Sequence, residues 1–137
     1  MIPTIAVFAE RAQVRPDGKL DVVGVYNCRY ASELPGKLDV TLAVRFDIEP
    51  LDYGARQRIS VHIVDEDGNE MVNLTATPVT FDSPSVAGLP LAYDLVVPLT
   101  VGFPRAGTWT FDVRVNDRAV ARVPLRVERR DGIGEAV

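Results

Sequence analysis

Residues 38–49 read LDVTLAVRFDIE. Leu38, Val40, Leu42, Val44, Phe46 and Ile48 alternate with Asp39, Thr41, Ala43, Arg45, Asp47 and Glu49. Successive side chains of a strand point to opposite faces, so this period of two predicts one face in a core and one in water. Helical spacing would scatter the same apolar residues around the axis. The alternation returns in residues 107–127, GTWTFDVRVNDRAVARVPLRV. Trp109, Phe111, Val113 and Val115 share a face, and Ala119, Ala121, Val123, Leu125 and Val127 answer them after a turn at Asn116-Asp117-Arg118. Matching apolar face to apolar face sets Val115 across from Ala119 and Asp112 across from Arg122, a cross-strand ion pair on the wet face. Pro124 has no N–H for a ladder, which predicts an edge or a bulge there.

The first hairpin is read from its turn. In RPDGK, residues 15–19, Pro16 starts a type I turn and Gly18 supplies a positive φ. A three-residue loop pairs Arg15 with Lys19. Counting outward, Val14 meets Leu20, Ala12 meets Val22 and Phe8 meets Tyr26. The opposite face, with Ile5, Val7, Ala9, Val23 and Val25, is apolar too. Two apolar faces predict a pair central in its sheet or held between layers. Glu10 falls opposite Gly24, which marks it as a candidate buried polar site in the space a glycine leaves.

Further strands are expected in RQRISVHIVD, in EMVNLTATPVTF with a bulge near Thr77-Pro78, and in LPLAYDLVVPLTVGF, where the odd-numbered residues from Leu89 to Val101 face inward. The loops are FDSPSVAGLP and YNCRYASELPGK. No segment sustains a helical period. About eight strands, punctuated by proline and glycine, predict an all-β antiparallel β-sandwich. Residues 1–130 are expected as one domain, with 131–137 as a flexible C-terminal tail.

The 137 residues are 47% hydrophobic and 25% charged, a globular balance. A net charge of −4 argues against nucleic acid, whose phosphates need a basic face. The apolar start MIPTIAVFAER is too short for a membrane span and lacks a basic leader, so the chain is expected to be cytoplasmic, with no membrane partner. The single Cys28 has no partner for an internal disulfide and reads as a half-buried core residue.

The stretch richest in potential ligands is VHIVDEDGNEM, residues 61–71. Asp65, Asp67 and Asn69 have the first spacings of a calcium loop. Such a loop needs glycine sixth and an acid twelfth, whereas here Gly68 is fourth and Ala76 twelfth. A hairpin turn over Glu66-Asp67-Gly68 explains the same residues. His62, between Val61 and Ile63, is expected to face water with Arg58 and Ser60. One histidine and one cysteine make zinc and Cys–His catalysis poor readings. Nucleophile-elbow, Walker and dinucleotide patterns are absent, so no catalytic residue, metal or cofactor is assigned. The one charge asymmetry is basic: Arg114, Arg122 and Arg126 form a candidate strip for docking an acidic protein partner.

The ordered segments TIAVFAERAQVRPDGKLDVVGVYN, LPGKLDVTLAVRF, VDEDGNEM and GFPRAGTWTFDVRVNDRAVARVPLRV resemble a family of small uncharacterised bacterial proteins, a domain of unknown function, over residues 3–127. The resemblance implies an immunoglobulin-like β-sandwich and brings no catalytic residues. The expected function is a non-enzymatic interaction or structural module, able to form a homo-oligomer through an edge strand. The alternative is a small-ligand binder, with a pocket between the sheets or under the 82–90 loop, lined by Tyr93 and Phe81.

Overall fold

The computed structural model describes residues 1–75, 78–84 and 91–130. Its strands are β1 (Ile2–Val14), β2 (Leu20–Tyr26), β3 (Cys28–Ala31), β4 (Gly36–Ile48), β5 (Arg56–Gln57), β6 (Ile59–Val64), β7 (Glu70–Thr75), β8 (Val79–Thr80), β9 (Leu91–Phe103), β10 (Gly107–Val115) and β11 (Arg118–Arg129). One 3-10 turn covers Pro50–Asp52. β2-β1-β4-β9 make a four-stranded sheet, β3-β11-β10-β6-β7 a five-stranded one, and β5-β8 a small ribbon. Among the described residues these strands pair antiparallel except β3 with β11, which is parallel, as is the isolated bridge Tyr53↔Phe81.

The two larger sheets share one core. Phe8, Leu42, Val44 and Phe46 from the first meet Ile63, Phe111, Val113 and Leu125 from the second. Phe8 and Phe111 join the layers edge to face, with ring centroids 4.8 Å apart. Each such ring removes enough apolar surface from water to contribute roughly 2–3 kcal/mol. The opening alternation of residues 38–48 is observed: all six apolar residues named above face the core, and β4 pairs with β9 residue by residue from Gly36↔Phe103 to Ile48↔Leu91.

Three differences from expectation have physical causes. The described residues hold eleven strands rather than about eight, because RQRISVHIVD breaks into β5 and β6, β8 stands apart from β7, and β3 forms inside a segment read as a loop. That parallel strand is a non-local pairing, which local alternation does not report. Val115 pairs with Arg118, not Ala119. Asn116 and Asp117 both take positive φ (52° and 68°), closing the tightest hairpin, and a bulge before Arg114 absorbs the extra residue. Asp112 still faces Arg122 as predicted. The β1–β2 pair is not central, since β2 is an edge strand. Thr77, Leu89, most of the 82–90 loop and the 131–137 tail lie outside the described residues.

The turn-based registers hold. Val14↔Leu20, Ala12↔Val22 and Phe8↔Tyr26 are all observed. The turns at 15–19 and 65–69 have the same bonds. Arg15 N–H donates to Lys19 O at 2.8 Å and Asp65 N–H to Asn69 O at 3.0 Å, with Gly18 and Gly68 both at φ 83°. Pro124 pairs with Thr110 on one side only, because β3 joins β11 from Arg126 onward.

Candidate functional site

The outer face of the five-stranded sheet carries a polar row. On β6, Ile59, Val61 and Ile63 enter the core, so Ser60 and His62 take the other face. The 65–69 turn pairs Val64 with Glu70, which brings Glu70 to the same face. Ser60 Oγ lies 3.0 Å from His62 Nε2, and His62 Nδ1 is hydrogen-bonded to Glu70 Oε1. β10 sets Asp112 directly beside His62. His62 was expected in water, but it is only 6% exposed, as is Ser60, and Asp112 is 7% exposed. A central strand explains this: β6 is flanked by β7 and β10, whose side chains close over it.

The order hydroxyl, imidazole, carboxylate is the order used in acyl transfer. That chemistry also needs a reachable hydroxyl and N–H donors free to hold an oxyanion. Ser60 is buried, and β6 is paired on both edges, so its N–H groups serve the ladders. The row therefore satisfies polar groups that the sheet has taken out of water. Cys28 and His62 do not meet, since two strands separate β3 from β6. Cys28 is half-buried, as expected.

The three arginines of the candidate strip lie around this row and have local partners. Arg114 and Arg122 each approach Asp112 at 3.7 Å, and Arg126 Nε donates to Glu128 at 2.6 Å. The Glu128 carboxylate, through that bond and its charge, raises the Arg126 pKa. Arg122 is the most outward of the three, with a side chain 71% exposed. Asp112 Oδ1 is buried with no hydrogen bond and rests on the longer contact with Arg122, while Arg114 approaches Oδ2.

The acids of the 65–69 turn are occupied by the turn. Asp65 Oδ1 accepts the N–H groups of Asp67 and Asn69, both at 2.9 Å, and Arg105 reaches Asp65 Oδ2 at 3.2 Å. Glu66 Oε1 accepts Thr108 N–H at 3.0 Å. Among the described residues, no group of three or more His, Cys, Asp or Glu side chains converges to hold a metal ion. Phe81 and Tyr93, the expected pocket lining, pack edge to face with centroids 5.3 Å apart.

The remaining surface is the β1–β2 hairpin. β1 leaves β4 after Ala9↔Thr41 and continues paired only with β2. Glu10 sits at this departure. It is exposed rather than buried, because β4 no longer covers it, and its side chain folds over Gly24. A Cβ on Gly24 would lie 2.7 Å from the Glu10 carboxyl carbon, and Gly24 has φ 70°, so a larger residue there would be strained and would displace Glu10. On the face turned away from the core, Ile5 is 39%, Val23 47% and Val25 60% exposed.

Residues 4–128 match a family described as a family of unknown function (DUF6941). No curated protein matches the sequence. No helix among the described residues is long and apolar enough to cross a membrane.

Proposed function

This chain belongs to the DUF6941 family, and on that footing we propose that it is a non-enzymatic protein-interaction module, an immunoglobulin-like β-sandwich of the cytoplasm that offers an uncovered sheet face to a protein partner. The observation that carries this reading is the outward apolar face of β1 and β2. Ile5, Val23 and Val25 are large hydrophobic residues on one side of one sheet, and all three are exposed. A lone exposed apolar residue needs no explanation, but Val23 and Val25, at neighbouring positions of one strand face with Ile5 on the same side of the sheet, offer apolar surface to a partner. The polar row supports the non-enzymatic half of the reading, since its hydroxyl and imidazole are engaged with each other in a buried layer.

The test is affinity capture from the native host with the wild-type chain and with Val23→Lys/Val25→Lys. Loss of specifically captured protein in the variant supports the reading. The same proteins captured by both chains overturn it. Both side chains point to solvent, so the variant keeps the core.

A further inference from the structure

Beyond Ala9 the β1–β2 pair is a two-stranded ribbon, residues 10–24, with no third strand among the described residues. An isolated ribbon is marginal in water, because each strand has one unpaired edge and the pair has no sheet to lie on. One face of this ribbon is apolar: Ala12, Val14, Leu20 and Val22 share it, while Val23 stands on the other face among Arg11, Gln13 and Asp21. Val14 is 49% exposed and Val23 47%. An open concavity of about 280 Å³ lies along Arg11, Ala12, Gln13, Asp21, Val22 and Val23.

We propose that this ribbon is a self-association arm through which two copies of the chain join, each laying its arm against the other. The proposal rests on the interaction-module reading and names its partner. Charge selects that partner. Within residues 10–23, Arg11, Arg15 and Lys19 balance Glu10, Asp17 and Asp21, while the whole chain carries −4. Two copies repel through most of their surface, and the arm is a segment where they meet without net charge. A strongly acidic or basic partner finds no complement there.

Geometry agrees with the electrostatics. An unpaired strand edge is complementary to another such edge, and a two-fold contact uses the same patch twice. β2 carries one charged side chain, Asp21. An antiparallel self-pairing centred on Val23 sets Asp21 opposite Val25 of the other copy, so no like charges face each other. β9, by contrast, carries Pro98 and Asp94, features that discourage edge pairing.

The experiment is the molar mass of the full chain in solution by light scattering and sedimentation, at concentrations up to on the order of 100 µM. The wild type is expected at twice the chain mass. Val14→Glu/Val23→Glu is expected at the monomer mass with an unchanged near-ultraviolet circular dichroism spectrum. Arg122→Glu/Arg126→Glu, on the other sheet, is expected to remain dimeric. A monomeric wild type overturns the arm, as does a dimeric Val14→Glu/Val23→Glu variant or a monomeric arginine variant. A monomeric wild type whose captured proteins are lost in Val23→Lys/Val25→Lys would overturn self-association while leaving the interaction module standing.

Discussion

Glu66 holds Thr108: its Oε1 accepts the Thr108 backbone N–H at 3.0 Å, tying the 65–69 turn to the start of β10. The neighbouring Gly107 makes the contact possible. It has φ 151°, and a Cβ there would sit 2.5 Å from the same carboxylate oxygen. Gly107→Ala is therefore expected to destabilise the protein by about 1–3 kcal/mol through backbone strain and loss of the bond. Glu66→Ala should cost about 1 kcal/mol, since the site is exposed and water replaces the acceptor. Urea unfolding of both variants checks the order of the two effects.

Asp65 gives a pH signature. The Asn69 N–H bond, with further bonds from Asp67, Arg105 and the Asn69 side chain, holds its carboxyl below the usual 3.8 against a smaller opposing effect of burial. A depressed folded-state pKa means the unfolded chain binds the proton more readily. The Asp65 contribution is thus fully present above about pH 4 and is lost as pH falls through the folded value. Carboxyl carbon shifts followed by NMR should show Asp65 titrating below the usual 3.8. Asp65→Asn should flatten the acid limb of the stability profile.

The buried row Ser60–His62–Glu70 is expected to behave as structure. His62→Ala strands the Ser60 hydroxyl beneath the sheet surface and removes the partner of Glu70, at about 2–3 kcal/mol. Ser60→Ala removes one hydroxyl and leaves one imidazole nitrogen unpaired, at about 1–2 kcal/mol. Denaturant midpoints measure both. Incubation with a fluorophosphonate probe should leave Ser60 unlabelled, and labelling abolished by His62→Gln would assign it a catalytic role.

Asp112 and Arg122 offer a double-mutant cycle. Their 3.7 Å contact joins a buried carboxylate to a side chain 71% exposed, so solvent screens the pair. A coupling below about 1 kcal/mol is expected, with Arg114 retaining part of the interaction when Arg122 is removed. Removing Asp112 instead leaves two arginines without their shared acid. Charge reversal at Arg122 and Arg126 should then read on partner capture more than on stability, if that strip docks a partner.

Local chemistry made much of this fold readable. PDGK and DEDGN each specify a three-residue turn, and a turn fixes the register of the strands it joins. That is why Phe8↔Tyr26, seven residues beyond the turn on each strand, follows from the sequence. The same count from 65–69 puts Glu70 on the face of Ser60 and His62, so the polar row is legible in the sequence. What failed depends on distant partners. The strand Cys28–Ala31 exists because β11 offers it an edge. Apolar residues on both faces of β1 and β2 imply a neighbour on each side, and the structure supplies it on one. The bulge before Arg114 follows from a choice between two hairpin closures that differ by one residue.

The passage from β2 to β3 has a mechanical meaning. Tyr26 pairs in one sheet and Cys28 lies in the other, so Asn27 alone carries the chain between layers. Two peptide units reach about 7 Å, less than the roughly 10 Å between packed sheets, so the layers are drawn together at this corner. Arg126 N–H clamps it by donating to Asn27 O at 2.8 Å. The protein is bound there like a book at its spine. Breathing of the two covers must then begin at the far margin, along β7 and β9, where Phe81 and Tyr93 stand as the latch. Amide exchange should run ahead at that margin and lag beside Asn27.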